Sequence, residues 1–251
     1  HTSGLPRETP FPYWSDFNFP DREEMIEAFP DQEPTFPPSA RWKYSNLAMA
    51  IADEVVAAVS GLPYEEYMTA EILEPLDMTD TLVHVNENNW RLAVGYGRRM
   101  PDGSREIMPF TDSNALAPAA DFSSTAEDFS RFAAWQMRLL DGGGTEVISA
   151  HTLREMHRPH WVFPSWDGGW GLGFSVTHTD DRDIVGHGGH VGGYRSHFAL
   201  SPSEMMAVSV FINADDGAPD EVAMVAFDVL MPAVASALSG DAPPETDPAW
   251  E

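Results

Sequence analysis

The strongest constraint on the fold lies in the second half of the chain. Four strand-like runs, at 172–178, 183–187, 194–200 and 206–213, follow one another with only short connections between them. The separators are Asp180-Asp181, a glycine-rich link and Ser201-Pro202, all of them turn chemistry. Parallel neighbours need a crossover of about a dozen residues or more, so runs this close pair as an antiparallel meander. Pro219 then opens a helix carrying Val222, Ala226, Val229 and Leu230, kinked at Pro232 and ended near Gly240. The expectation is a sheet backed by a helix.

The first half has the other period. Residues 1–40 are rich in proline and aromatic side chains and read as an ordered, wrapping loop with a short helical patch near 22–29. From Asn46 onward, Leu47, Ile51, Val55, Ala58 and Val59 share one helical face, and Gly61 with Pro63 beyond it marks the stop. Pro63 opens a second helix through Tyr67, Met68 and Ile72 that ends before Pro75. Residues 92–110 predict a hairpin turning at Pro101-Asp102-Gly103. Ser124 and Glu127 form a capping-box pair for a helix running through Phe129, Phe132, Ala133 and Leu139 to the glycines at 142–144. A shorter helix follows Ser149 and stops at Pro159. Helices first and an antiparallel sheet after them define an α+β fold. Its parts are a mainly helical lobe over 1–160, a sheet lobe with its terminal helix over 161–240, and a tail or linker over 241–251.

Composition narrows the class. With 251 residues, 43% hydrophobic and 22% charged, the chain reads as a soluble globular protein with one large core or two subdomains sharing a cleft. No apolar run approaches the roughly 18 residues that would suggest a membrane span. The opening residues His1-Thr2-Ser3-Gly4-Leu5-Pro6 lack the basic start and apolar stretch of a signal peptide. Without cysteine there is no disulfide or thiolate chemistry. A net charge of −26 makes nucleic acid a poor partner, because binding phosphates needs clustered Lys and Arg. Lys43 is the only lysine. Such a surface suits high salt, where self-repulsion is screened, although a plain acidic protein reads the same way.

Two stretches carry chemistry. Tyr44-Ser45-Asn46 stands at the mouth of a helix, where a phenol can relay a proton and an amide can hold a substrate carbonyl. As three common residues it also reads as a plain loop end. The stretch Gly186-His187-Gly188-Gly189-His190-Val191-Gly192-Gly193 sets five glycines and two histidines between strands. Glycines at this density let a substrate approach the backbone so that a bare N–H can bond an oxyanion; the alternative is a tight connection needing positive φ. As a zinc pair, His187 and His190 lack a nearby carboxylate or an HExxH pattern. His151, His157 and His160 offer only a weak metal reading, since Pro159 and Trp161 point to a surface loop. Trp161, Phe163, Trp166 and Trp170 either wall an apolar substrate pocket or pack a loop onto the core. The acidic runs Glu23-Glu24, Asp180-Asp181 and Asp215-Asp216 read as solvated turns.

Taken together and in order, these segments resemble the β-lactamase-related serine hydrolases: class C β-lactamases, serine D-Ala-D-Ala peptidases and the esterases similar to them. His1-Thr2-Ser3-Gly4-Leu5 resembles the segment after the family's nucleophile helix, and Tyr44-Ser45-Asn46 its second motif. Gly61-Leu62-Pro63-Tyr64 and the run from Glu74-Pro75-Leu76 to Thr81 resemble its next helix and loop. Pro118-Ala119 with Ser124-Thr125-Ala126-Glu127-Asp128 resembles the segment before its later helix. Gly171-Leu172-Gly173-Phe174 and Gly186-His187-Gly188-Gly189 resemble the strands around its third motif. The resemblance implies a β-lactamase/transpeptidase-like fold, no metal or organic cofactor, a small ester, β-lactam or peptide substrate, and a periplasmic or secreted location.

Carried over residue by residue, the resemblance makes Tyr44 the general base or proton relay. Asn46 becomes the holder of the substrate's carbonyl side. His187, Gly188 and Gly189 form the third motif, and the backbone N–H of His190 one of two oxyanion donors. Two departures stand out. Ala120-Asp121 replaces an expected glycine pair, and the family's Ser-x-x-Lys is missing, because Ala40 stands three before the only lysine. The expectation is therefore a serine hydrolase whose nucleophile lies outside this chain, on a missing N-terminal segment of the same protein or on a separate chain. This chain alone should be inactive, and apolar surface should be exposed where that segment would pack. A non-catalytic binding module with the same fold is the rival, and a metal hydrolase built on the histidines a third reading.

Overall fold

The computed structural model describes residues 1–11, 13–179 and 182–240. The expected Asp180-Asp181 turn and the tail over 241–251 lie outside them. Two short helices, α1 (Tyr13–Asp16) and α2 (Arg22–Ala28), open the chain. Asp21 and Glu24 close α2 with a reciprocal capping box. Helix α3 (Leu47–Ser60) stops at Gly61, whose φ of 74° is the left-handed cap conformation. Helix α4 (Tyr64–Met68) continues as a single π turn over Thr69–Leu73. Between residues 95 and 108 the expected hairpin is held by backbone bonds from Gly97 to Glu106 and from Met108 to Gly95. Tyr96 also bridges to Ala214, which ties this hairpin to the main sheet.

Next come α5 (Ala117–Ala120) and α6 (Ala126–Gly142). The cap of α6 is Thr125, which accepts the Asp128 N–H, and not Ser124 as expected. Ser124 is diverted to the Thr81 hydroxyl, 2.6 Å away. The small strands β1 (Thr145–Glu146) and β2 (Ile148–Ser149) precede α7 (Ala150–His157), capped by Ser149.

The main sheet has six strands where the sequence suggested four: β3 (Trp161–Val162), β4 (Gly168–Trp170), β5 (Ser175–His178), β6 (Asp183–Val191), β7 (Tyr194–Ser201) and β8 (Met206–Ile212). They lie in sequence order and every neighbouring pair is antiparallel. The meander is therefore as expected, with two additions. Strands β3 and β4 are too short to show alternation, so Trp161 and Trp170 read as loop residues although they sit opposite each other in the ladder. The glycine-rich stretch is not a link, because β6 runs through it to Val191. A Cβ at Gly186 would stand 1.9 Å from the Phe198 carbonyl oxygen, so close strand approach explains that glycine. Only Gly192 and Gly193 form the turn, Gly193 with φ of 85°.

Alternate residues of β7 face opposite ways, and the two faces bury against different helices. Ala199 joins Ile184 and Met206 under Ala223 and Phe227 of α8 (Pro219–Ser239). Phe198 and Leu200 pack instead against Phe129, Phe132 and Ala133 of α6. A second core links α4, α6 and α7 through Leu73, Trp135, Leu139 and Leu153. The N-terminal segment wraps α3 through Tyr13, Phe19, Met25 and Leu47, all essentially buried. The outer side of α8 leaves Val222, Val225, Val229, Leu230 and Leu238 exposed, and Val55 and Val59 of α3 are exposed as well. By length and composition α8 is apolar enough to cross a membrane. This corrects the expectation that no apolar run is long enough to span: Asp228 interrupts the apolar residues in the sequence, but the helix as a whole is long and apolar.

Candidate active site

Ser45 fixes the Tyr44-Ser45-Asn46 triplet. Its hydroxyl is wholly buried, donates to the Pro6 carbonyl at 2.7 Å and accepts the Ala48 N–H at 2.9 Å. Backbone bonds from Lys43 to His1 and from Asn46 to Arg7, each 2.8 Å, lay the first eight residues alongside the triplet. Tyr44 is thereby packed against the His1 ring, 4.1 Å between centroids, with the Arg7 guanidinium 5.1 Å over its own ring. Trp170 of β4 and His187 of β6 complete the group at 5.9 and 6.2 Å from Tyr44.

Asn46 sits at the same helix mouth but is 7% exposed. Its amide nitrogen donates to both carboxylate oxygens of Glu8, at 2.9 and 3.0 Å. Tyr13 donates its hydroxyl to the same carboxylate at 2.6 Å. Glu8 thus occupies the amide nitrogen expected to hold a substrate carbonyl, so the expectation is corrected: the end of Asn46 left to meet a substrate is its oxygen, which can only accept, as from an N–H.

The backbone edge of β6 follows from its register. The two-residue turn after Val191 makes Val191 and Tyr194 a hydrogen-bonded pair, so Gly189 and His187 also bond toward β7. Gly186, Gly188 and His190 point the other way. Strand β5 pairs with β6 only as far as Gly186, so beyond it that edge has no strand partner among the described residues. Two side chains agree with this parity: Ser175 donates to the Gly186 carbonyl at 2.8 Å, and His187 Nδ1 donates to the Gly188 carbonyl at 2.6 Å. The N–H groups of Gly188 and His190 therefore face an unpaired edge beside Tyr44 and His187.

The ionisation states follow from burial. The Tyr44 phenol is pushed up chiefly by desolvation; Arg7 pulls it down and Glu8 pushes it up. His187 is held below its ordinary value by burial, opposed by its bond to the Gly188 carbonyl. Near neutral pH the site then holds a protonated phenol and a neutral imidazole whose Nε2 keeps its lone pair. Such a group can pass a proton and, with the β6 edge, bind developing negative charge.

The structure brings Tyr44 and His187 together, the Gly188 and His190 N–H groups follow His187 along β6, and Asn46 stands two residues after Tyr44 at the helix mouth. The His190 side chain has a carboxylate partner that the sequence did not reveal: Asp215, 3.2 Å from Nε2, which also accepts the Gly193 N–H at 2.8 Å. The Asp215-Asp216 pair is thus more than a solvated turn, since Asp216 also pairs with Arg105. His157 and His160 do not converge on a metal. His157 is buried against Gln136 at 2.8 Å and His160 contacts the Glu155 carbonyl. His1, Arg7 and Glu8 are the site residues missed. Glu8 and Asn46 are 38 positions apart, and no local pattern links them. Two cavities of about 660 and 320 Å³, each lined by His157 and Pro202, lie apart from the Tyr44 group.

A family model described as Beta-lactamase matches residues 1–230. The chain belongs to the beta-lactamase family, and its fold is of the β-lactamase/transpeptidase kind. It is 28% identical to Beta-lactamase-like protein 2 of Dictyostelium discoideum over 204 residues, which is 80% of this chain and 36% of that protein. Among solved structures it is similar to the octameric penicillin-binding protein homologue from Pyrococcus abyssi. The TM-score is 0.75 at 22% identity, covering 97% of this chain and 55% of the other. It is also similar to D-amino acid amidase from Ochrobactrum anthropi SV3 complexed with L-phenylalanine amide. There the TM-score is 0.68 at 26% identity, covering 96% of this chain and 69% of the other. The chain spans between 36% and 45% of the length of three curated relatives.

Proposed function

We propose that the protein is a serine hydrolase that transfers an acyl group from a small amide, ester or β-lactam to water, with its nucleophilic serine outside residues 1–251. The observation that carries this reading is the placing of Tyr44 and His187 beside the unpaired N–H edge of β6. The absence of Ser-x-x-Lys from the 251 residues supports a nucleophile elsewhere. The exposed apolar residues of α3 and α8 support a further segment packing on this chain.

In the proposed cycle the serine oxygen attacks the substrate carbonyl while its proton passes through the Tyr44 phenol to the leaving amine or alcohol. The His190 N–H holds the oxyanion, and Asn46, steadied by Glu8, accepts a hydrogen bond from the substrate's amide side. Water then attacks the acyl-enzyme by the reverse relay. A phenol that burial holds protonated is a donor at rest. To work as a base it needs a cation beside it; Arg7 supplies part of that field, and the family's lysine would supply more. Amino acid amides are the preferred substrate class, by similarity to the amidase.

The test is hydrolysis of D-phenylalanine amide, a chromogenic β-lactam and a short-chain nitrophenyl ester by the full-length protein and its Tyr44→Phe variant. The variant should lose roughly 10²–10⁴-fold in kcat with little change in KM. Wild-type kcat in folded Tyr44→Phe would remove Tyr44 from the chemistry. A folded protein that binds these compounds and turns over none of them would be a binding module.

A further inference from the structure

Outside the Tyr44 group, one cluster of metal-ligating side chains has no role in the proposed reaction. His84 follows Val83 in the loop after α4, Asp112 lies before α5, and Asp121 directly follows α5. One ligand atom from each comes within 4.8 Å of the others. His84 Nδ1 stands 2.8 Å from Asp121 Oδ2 and 3.9 Å from Asp112 Oδ1. A cation held at about 2.0–2.2 Å by nitrogen and oxygen wants its ligand atoms roughly 3.0–3.5 Å apart, a spacing these two distances bracket.

We infer that His84, Asp112 and Asp121 form a structural site for a divalent cation of the zinc or manganese kind, joining the loop after Val83 to both ends of α5. The set of one imidazole and two carboxylates suits such a borderline-hard ion, with water completing its shell. The Asp121 carboxylate is nine-tenths buried and receives the Ser113 backbone as a second partner. Asp112 is already aimed, because its Oδ1 accepts the Asn114 N–H at 2.9 Å. Independently of the carboxylates, the two hydroxyls flanking Asp112 are buried without a hydrogen-bond partner: Thr111 Oγ1 and Ser113 Oγ, the latter on a wholly buried residue. Thr111 and Ser113 adjoin Asp112 in the chain, and a hydrated ion within reach of their hydroxyls would satisfy them. Two carboxylates, Asp121 and Asp112, thus face the one imidazole. Asp121 stands where the resemblance calls for glycine, which gives that departure a purpose.

Titration of the chelator-stripped, full-length protein with MnCl2 and with ZnCl2, followed by calorimetry, tests the site. One saturable event of unit stoichiometry is expected, with a higher Tm in the loaded protein. Asp112→Asn and His84→Ala should each weaken it at least about tenfold, and Asp102→Asn, at the exposed hairpin turn, should leave it unchanged. Spin-echo EPR of the Mn2+-loaded protein should show nitrogen coupling that His84→Ala abolishes. Asp112 is exposed, so Asp112→Asn keeps the test open even if His84→Ala fails to fold. Diffuse, many-site binding to the acidic surface, no binding at millimolar metal, or an event indifferent to Asp112→Asn would overturn the inference.

Discussion

In the proposed reaction Tyr44 acts through what surrounds it. Burial keeps its phenol protonated, the Arg7 guanidinium over its ring makes release easier, and His187 offers a lone pair nearby. His190 contributes by backbone alone in this account, and its side chain is occupied by Asp215. The two roles separate by substitution. His190→Ala keeps the N–H and should leave kcat within a few-fold, whereas His190→Pro removes it from an edge that carries no ladder bond there. Loss of one oxyanion donor should lower kcat by about 10²–10³-fold with the fold retained, read by steady-state kinetics beside circular dichroism. Equal activity in the two variants would remove that N–H from the mechanism. Tyr44, Asn46 and His187 were legible because they lie in short motifs. Arg7 and Glu8 were not, because only the wrapping of residues 1–8 along the triplet gives them a place.

Strand β6 sets the site's backbone, and its glycines divide by cause. Gly186→Ala would press a methyl group to within 1.9 Å of the Phe198 carbonyl oxygen, so β6 and β7 must separate. A loss of about 1–3 kcal/mol or more in denaturant unfolding is expected, whereas Gly142→Ala, at the open end of α6, should be neutral or mildly stabilising. Equal stability of the two would contradict the close approach. The contact between α6 and α7 makes a second prediction. Desolvation lowers His157 from 6.5 to about 4, while the unfolded chain takes up that proton near 6.5. The unfolded state binds more protons between these values, so stability is lost as pH falls from about 6.5 to 4, by up to about 3 kcal/mol. His157→Gln should flatten that part of the pH–stability curve; an unchanged slope would place the acid sensitivity elsewhere. Helices α3 and α7 were readable from their caps and stops, and α6 from its apolar period and terminal glycines. Strands β3 and β4 were not, since two or three residues cannot display a period of two. The α6 cap moved from Ser124 to Thr125 because Thr81, far off in sequence, claims the serine hydroxyl.

At the scale of the molecule, the sheet is a partition between α8 on one face and α6 on the other. The antiparallel meander was visible in the spacing of the runs. The way α6 crosses from the first half to pack on the sheet was not, because amphipathicity shows that a helix has an apolar face and not what the face meets. The same limit applies to the exposed valines of α8 and to the chain's place within longer relatives. The central claim is that Tyr44 and the β6 edge serve a serine outside residues 1–251. Its most direct test is intact-mass and peptide-mapping analysis of the full-length protein after reaction with a fluorophosphonate probe. The account predicts one covalent adduct, on a serine outside these residues, formed more slowly in Tyr44→Phe. No adduct on the folded protein, or an adduct on a serine within residues 1–251, would contradict it.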